Sequence, residues 1–226
     1  MTGIMYAVGV GPGDPELITV KALKIIDNCQ YLVVPCSDKN KSVAYRIVEA
    51  ICDLETKEIV EIDMPMTKNV DILNEAHQNG AKKIKNILDQ GCDVAFVNLG
   101  DPSIYASSMY IANILNQDGY KVNLVSAVPS FVAVASRLNI SLAEADEQIH
   151  IISDGNDIDQ ALKNSGTKIF MKIGKSLKEL KSLLKGLDMK VYAVENCGLA
   201  DERVYVGVEN IPDSLSYFSI VIVKDQ

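Results

Sequence analysis

Tryptophan is absent from this chain of 226 residues, and aromatic residues make up only 6% of it. Aliphatic side chains must therefore fill the interior. The apolar runs are rich in Val, Ile and Leu, which suits strands that are buried on both faces. No apolar stretch approaches the roughly 18–20 residues of a membrane span, so no membrane association is expected. The first residues also lack a basic segment ahead of an apolar core, so we expect no secretory signal and a cytoplasmic location.

Histidines and paired cysteines are scarce as well. The chain has two histidines and five cysteines, and no two cysteines form a CxxC pair. We therefore expect no metal site, and an odd number of scattered thiols fits a reducing compartment better than a disulfide framework. Basic residues number 22 against 30 acidic ones, for a net charge of −8. This balance argues against nucleic acid as a partner but leaves small ligands open, because a local basic pocket can lie on an acidic protein.

The sequence does contain a regular alternation of short apolar runs and amphipathic stretches. Strands are predicted at 4–10, 31–34, 58–62, 93–98, 121–125, 148–152, 168–173, 190–194, 203–206 and 218–223. Helices are predicted at 19–28, 43–51, 69–90, 105–117, 158–164 and 177–185, and a further helix follows residues 126–130 and runs through about residue 138. This order predicts an α/β protein whose first part has a mainly parallel sheet. The last two strands have no helix between them, which indicates a mixed sheet in the second part, and we place the domain boundary near Gly119 (domains 1–118 and 119–226).

Two segments that follow predicted strands contain glycine in positions of interest. Residues 9–15 read GVGPGDP, and glycine allows a sharp turn or a close approach to a ligand. Asp14 stands where a dinucleotide fingerprint needs glycine, and two prolines remove amide donors, so a structural turn and a ligand loop both remain open. Residues 98–105, NLGDPSIY, follow a central strand at the end where ligands gather in open α/β sheets. Asp101 either caps the local turn or orients a bound molecule.

Three further segments carry weaker signals. Residues 126–130, SAVPS, lie between a predicted strand and a helix, and residues 195–198, ENCG, have the composition of a turn. Lys172 interrupts an apolar run at a strand end, and its ammonium group can simply extend to solvent. An ordinary turn explains each of these segments when it is considered alone.

Taken in order, the segments resemble the tetrapyrrole methylase family, and the likeness covers nearly the whole chain. The segments that carry it are GVGPGDPELITVKALKIID, VAFVNLGDPSIYASSMY, VPSFVAVASRL and VYAVENCG. Within the family the chain is most similar to the branch that methylates C(20) of precorrin-2 or cobalt-factor II. The segments that favour this branch are VVPCS, DMPMTKN, LGDPSIYAS and RLNISLAEADEQIHIIS.

The resemblance implies two α/β/α domains, the first with a mainly parallel and the second with a mixed sheet, and an active-site cleft between them. It also implies a homodimer that uses S-adenosyl-L-methionine as methyl donor, with S-adenosyl-L-homocysteine as product. By resemblance, the residues expected at the donor are Pro12, Leu99, Gly100, Asp101, Ile104, Pro129, Ser130, Lys172 and Cys197. Lys172 replaces the methionine common at its position, so we expect a backbone contact to adenine there. Ser126-Ala127 replaces the family's Pro-Gly, and Pro35 replaces an aspartate of related uroporphyrinogen methylases, so no acid–base role is available at position 35.

Asp101 and Tyr105 are the candidate catalytic residues, to orient the acceptor or to carry away the C(20) proton. The tetrapyrrole carries carboxylates, and the basic residues considered for them are Lys39, Lys41, Arg46, Lys68 and Arg137; arginine is the better partner because its fork binds two oxygens. Two alternatives stay open: a methylase of the same fold acting on another corrinoid or acceptor, and a non-catalytic nucleotide-binding regulatory module. A nicotinamide dehydrogenase is disfavoured by the missing fingerprint. The sequence does not decide whether the acceptor already contains cobalt.

Overall fold

The computed structural model describes residues 2–36, 38–153 and 157–225. The chain divides into two compact units, Met1–Pro129 and Ser130–Gln226. The first contains a parallel five-stranded sheet and the second a mixed one, which confirms the predicted α/β class. The domain boundary predicted from the sequence lies near Gly119. In the structure, the strand that follows this glycine pairs with the first strand of the chain, and so lies in the first unit.

The first unit alternates strands and helices. Its strands are β1 (Ile4–Gly9), β2 (Tyr31–Val34), β3 (Glu58–Glu61), β4 (Val94–Asn98) and β5 (Lys121–Val125). Its helices are α1 (Val20–Asn28), α2 (Val43–Glu49), α3 (Val70–Leu88) and α4 (Ser108–Gln117). The strand order is β3-β2-β4-β1-β5, and all neighbouring pairs are parallel. The carboxyl ends of all five strands therefore lie at one edge of the sheet.

Local sequence explains where most of these helices begin. Thr19, Ser42 and Asn69 each accept a backbone hydrogen bond in the first turn of α1, α2 and α3, as a good N-cap residue does. The sequence predicts a helix from Tyr105, but α4 begins three residues later. Tyr105 has a φ of +51°, which an α-helix cannot contain. None of the helices among the described residues has the length and apolar character needed to cross a bilayer.

Central strands of this unit are buried on both faces, as their continuous apolar runs predict. Every residue of β4 is buried, and Phe96 in its middle packs in a cluster with Met5 of β1 and with the inner faces of α3 and α4. Such burial on two faces is typical of parallel sheets covered by helices. The core thus fixes β1 beside β4 and gives the loops that follow these strands a rigid base.

The second unit carries the mixed sheet. It begins with α5 (Ser130–Leu138) and continues with β6 (Ile149–Ser153), α6 (Ile158–Lys163), β7 (Thr167–Met171), α7 (Leu177–Leu184), β8 (Met189–Glu195), β9 (Arg203–Val206) and β10 (Ser219–Asp225). The strand order is β6-β7-β10-β8-β9. β10 is antiparallel to both β7 and β8, so the loops that follow β7 and β8 lie together at the start of β10.

One charged side chain is completely buried in this second sheet. Lys168 of β7 is 0% exposed, and its ammonium group pairs with a carboxylate oxygen of Asp225 at the end of β10. The other oxygen of Asp225 accepts a hydrogen bond from the Gly166 amide at 2.7 Å. Burial raises the pKa of Asp225, but hydrogen bonds from Lys168 and Gly166 more than offset this, and the pKa lies below its usual value.

We expect Asp225→Asn to destabilise the protein more than Lys168→Met does. The first change leaves a buried ammonium without its counter-charge, a loss of about 2–3 kcal/mol given that Asp225 is itself partly exposed. The second removes the charge and its desolvation cost together, and should cost about 1 kcal/mol or less. Urea unfolding at neutral pH measures the free energy of unfolding of both variants. Because folding lowers the pKa of Asp225, its contribution to stability is present above about pH 4 and disappears on further acidification. Equal losses of unfolding free energy in the two variants would contradict this account.

Candidate functional site

The turns that follow β1 and β4 are joined directly. The amide of Gly100 donates to the carbonyl oxygen of Gly11 at 2.7 Å, and the amide of Val10 donates to the carbonyl oxygen of Asn98 at 2.9 Å. Gly11 and Gly100 form an isolated antiparallel bridge beyond the ends of their parallel strands. The two glycine-containing segments singled out in the sequence thus meet at the same point of the sheet edge.

Gly9 lets a third loop approach this point. A β-carbon at Gly9 would lie 2.6 Å from the β-carbon of Ala127, 2.6 Å from the carbonyl oxygen of Gly100 and 2.9 Å from Cδ of Pro102. No real β-carbon tolerates such distances, so any side chain here would push apart the loops that follow β1, β4 and β5. Glycine is required at this position because the three loops approach one another so closely.

Gly100 is different, because its surroundings are open. The residue has a φ of +71°, and no heavy atom of the described residues lies within 4 Å of a β-carbon built on it. Its backbone is nevertheless buried. Among the described residues, the space beside the α-carbon of Gly100 is therefore open, at the carboxyl end of β4, where a ligand can approach the backbone closely.

Asp101 connects the loop after β4 to the loop after β5. Its side chain is buried, with 8% exposure of the residue. Oδ1 accepts from the Ser103 amide at 2.8 Å and from the Ser103 hydroxyl at 2.5 Å, and Oδ2 accepts from the Ala127 amide at 2.8 Å. The carboxylate therefore caps its own turn, as one of the two sequence interpretations had it, and also fixes a second loop.

The electrostatics of Asp101 favour the ionised form. Burial raises the pKa of its carboxyl, but the hydrogen bonds from Ser103 and Ala127 outweigh burial, and the pKa is lowered overall. A carboxylate with a lowered pKa and three donors is a poor acceptor for a substrate proton at neutral pH. The geometry thus favours a positioning role for Asp101 over the proton-shuttling role considered from the sequence.

The remaining predicted residues of the first unit differ in exposure. Pro12 is buried beside the Gly11–Gly100 bridge, and Leu99 and Ile104 are partly buried. Tyr105 is 50% exposed on the turn that leads into α4. Pro129 is partly buried at the end of the unit. All five lie in loops that follow β1, β4 or β5.

The other predicted residues belong to the second unit. Ser130 opens α5, Lys172 directly follows β7, and Cys197 lies in the loop after β8. Lys172 has a φ of +55°, and its ammonium group lies 5.9 Å from the ring centroid of Tyr217. The structure thus brings Lys172 and Cys197 to the same edge of the mixed sheet, on either side of β10.

Basic residues considered for the acceptor's carboxylates have different surroundings. Arg137 pairs through Nε with Glu202, and Lys41 lies 3.5 Å from Asp38. The Lys39 ammonium lies 5.2 Å from the ring centroid of Tyr45. Arg46 and Lys68 are exposed. Lys39 and Lys68 lie in the loops that follow β2 and β3, at the same sheet edge as Gly100; Ser37 of the VVPCS segment lies outside the described residues.

Sequence reasoning missed three residues that organise these loops. Ser103 and Ala127 supply the donors to Asp101, and Glu202 accepts from the loop that contains Cys197. The Asp-Pro-Ser order of 101–103 signals an Asx-type turn and could have identified Ser103. Nothing local in the sequence identifies Ala127 or Glu202, because their contacts cross the fold.

The chain combines a parallel sheet, whose loops after β1 and β4 meet at one edge, with a second, mixed sheet. A family model of Tetrapyrrole (Corrin/Porphyrin) Methylases matches residues 5–211. The chain belongs to this family, as the sequence resemblance predicted.

Two relatives and one solved structure show which members of the family this chain is similar to. The probable cobalt-precorrin-2 C(20)-methyltransferase of Methanocaldococcus jannaschii is 34% identical over 225 residues, covering 97% of this chain and 95% of that protein. The cobalt-precorrin-2 C(20)-methyltransferase of Salmonella typhimurium is 27% identical over 234 residues, covering 100% and 98%. The fold matches uroporphyrin-III C-methyl transferase from Thermus thermophilus complexed with S-adenyl homocysteine, with a TM-score of 0.71 at 20% identity and coverage of 99% and 98%.

Proposed function

We propose that this protein transfers a methyl group from S-adenosyl-L-methionine to C(20) of precorrin-2, in its cobalt-containing form, during cobalamin biosynthesis. The two relatives described above are named for this reaction and align with the chain over nearly its whole length. The structural observation that carries the proposal is the junction of Gly11, Gly100, Asp101 and Ala127 at one sheet edge.

The residues present at this junction fit a bound donor. Gly100 offers an open side beside a fixed backbone, and hydrogen bonds between backbone groups of the protein hold the loops around it. A preorganised loop loses little entropy when it binds. When bound, S-adenosyl-L-methionine supplies a methyl group on a positively charged sulfur.

The protein contributes to methyl transfer by positioning the donor and the acceptor. Alignment of two reactants can supply about 7–11 kcal/mol of barrier lowering in favourable cases. The buried Asp101 carboxylate holds the loops after β4 and β5 at a fixed distance. Tyr105, half exposed and next to these loops, is the candidate group to relay the proton that leaves C(20), because its hydroxyl can pass its own proton to solvent as it accepts this one. Lys39 and Lys68, at the same sheet edge, are candidates to bind acceptor carboxylates.

One assay tests this proposal. The purified protein is incubated anaerobically with methyl-labelled S-adenosyl-L-methionine and either metal-free or cobalt-loaded precorrin-2, and the label is located by NMR. We expect the label at C(20), with faster turnover of the cobalt-loaded acceptor. Label at another carbon would indicate a different methylase of this fold. Binding of S-adenosyl-L-homocysteine without transfer to any tetrapyrrole would favour a regulatory module, an alternative that membership of a methylase family does not support.

We also propose that the protein is a cytoplasmic homodimer. Its five cysteines are all free thiols, which fits a reducing compartment. Met66 in the loop before α3 and Val70 and Ile72 in the first turn of α3 are exposed apolar side chains, and exposed Tyr110 of α4 stacks on His77 of α3. Exposed apolar groups of this kind often mark an interface between subunits. Sedimentation velocity should give a dimer, which Val70→Glu combined with Tyr110→Glu should convert to a monomer.

A further inference from the structure

The loop after β8 is closed by a carboxylate from its own far end. Glu202, with 17% side-chain exposure, accepts a hydrogen bond from the Gly198 amide at 2.8 Å. The Cys197 thiol also donates to this carboxylate. The other carboxylate oxygen, Oε1, pairs with Nε of Arg137 in the last turn of α5. One carboxylate therefore connects the middle of the loop to a separate helix of the same unit.

The backbone of this loop needs such restraints. Asn196 has a φ of +51° and Gly198 a φ of +79°, and a positive φ is uncommon for a residue that is not glycine. The amide group of the Asn196 side chain donates to Asp201 at 2.7 Å, and the Leu199 amide donates to the Asn196 carbonyl at 2.9 Å. Side chains at the two ends of the loop, rather than sheet pairing, set its conformation.

The Glu202 carboxylate is ionised under ordinary conditions. Burial raises its pKa, but the Gly198 amide, the Arg137 guanidinium and the Cys197 thiol together lower it below the usual value. An ionised acceptor makes stronger hydrogen bonds than a neutral one. The carboxylate can therefore hold Gly198 and Arg137 at once.

We propose that Glu202 and Arg137 are positioning residues that hold Cys197 and Gly198 in the conformation required for donor binding. The inference rests on the proposed function, because it takes Cys197 of this loop to lie at the donor, as the resemblance implies. Neither residue has to touch the donor. Arg137 then serves the donor loop, and the carboxylates of the acceptor are left to other basic residues.

We expect Glu202→Ala to raise the KM for S-adenosyl-L-methionine about tenfold, because it removes charge-assisted hydrogen bonds that order the loop. The Kd for S-adenosyl-L-homocysteine should rise by a similar factor, while kcat and the KM for the tetrapyrrole stay within about twofold. Arg137→Ala should give the same pattern. Arg137→Lys should recover part of the affinity, because it keeps the charge but not the planar fork.

Two controls separate positioning from general stability. Asp159→Ala breaks the exposed ion pair between Lys163 and Asp159 in the same unit and should leave every kinetic constant unchanged. Hydrogen exchange at the amides of 197–199 should accelerate in Glu202→Ala, whereas exchange in β10 should not. An unchanged KM for the donor in Glu202→Ala would overturn the inference, as would a loss of kcat that merely follows the fraction of folded protein. If the unmodified protein failed to bind S-adenosyl-L-homocysteine, the proposed function itself would be refuted, whereas normal binding by both the unmodified protein and the variants would refute this inference alone.

Discussion

Replacement of Asp101 by Asn is expected to lower the turnover of methyl transfer about 100-fold, the cost of a misplacement of about 1 Å in a site that works by alignment. The variant keeps an oxygen for the donors of Ser103 but turns its new amide group toward the amide of Ala127. Two donors then face each other in a buried place, and one of them loses its partner. The loop after β5 should move away from the loop after β4 as a result.

The same variant should be less stable by about 1–3 kcal/mol, the cost of a buried donor without an acceptor. Calorimetry with S-adenosyl-L-homocysteine measures donor-site affinity, and urea unfolding measures stability. A steady-state assay measures turnover. Ser103→Ala is the matched control, because it removes one hydroxyl donor and leaves the bond between Asp101 and Ala127 intact. It should cost about 1 kcal/mol and little turnover. If Asp101→Asn kept both normal turnover and normal donor affinity, Asp101 would have no role in this site.

The pH dependence distinguishes positioning from proton transfer at Asp101. Folding lowers the pKa of this carboxyl, so its stabilising contribution is present at neutral pH and is lost as the pH falls through the folded-state value. A residue of this kind is already ionised throughout the neutral range. The pH–rate profile should therefore show no ionisation near neutral pH that Asp101→Asn abolishes.

Secondary structure was predictable where local signals agree. The predicted bounds of β2, β5 and β9 match the structure residue for residue. Apolar runs between clear turn or capping residues leave little freedom in such places. The start of α4 was misplaced because the apolar spacing continues back to Tyr105, while the turn stabilised by the Asp101 carboxylate delays the helix. A positive φ at a tyrosine has no signature in sequence.

The candidate site was predictable as a set of segments but not as an arrangement. Residues 9–15 and 98–105 were selected because each follows a strand, yet their contact depends on the order β4-β1-β5, which no single segment encodes. The bond between Asp101 and Ala127 spans 26 residues, and the pair of Arg137 with Glu202 spans 65. Partners this distant are fixed by strand order and packing, so the sequence alone offered Arg137 as a substrate-binding residue rather than as half of an ion pair.

Gly9→Ala should damage this junction more than any other single methyl group added to it. The new β-carbon would meet Ala127 and the Gly100 carbonyl oxygen at 2.6 Å, so three loops must separate. Such overpacking against backbone should cost about 3 kcal/mol or more, because a carbonyl group cannot rotate away as a flexible side chain can. Urea unfolding should register this loss, and donor binding should fall with it because the loops after β1, β4 and β5 move together.

Gly100→Ala provides the contrast that links the geometry to the donor. Its β-carbon meets no described atom within 4 Å, so the fold should lose only about 1–2 kcal/mol for the left-handed backbone. The methyl group would nevertheless enter the open side of the turn that we assign to the donor, and S-adenosyl-L-homocysteine affinity should fall at least about tenfold. Stability therefore separates from affinity at Gly100, whereas the two change together at Gly9. Normal affinity in a folded Gly100→Ala variant would show that the donor does not occupy this side of the turn, because an alanine methyl group there is too large to share the space with a ligand in backbone contact.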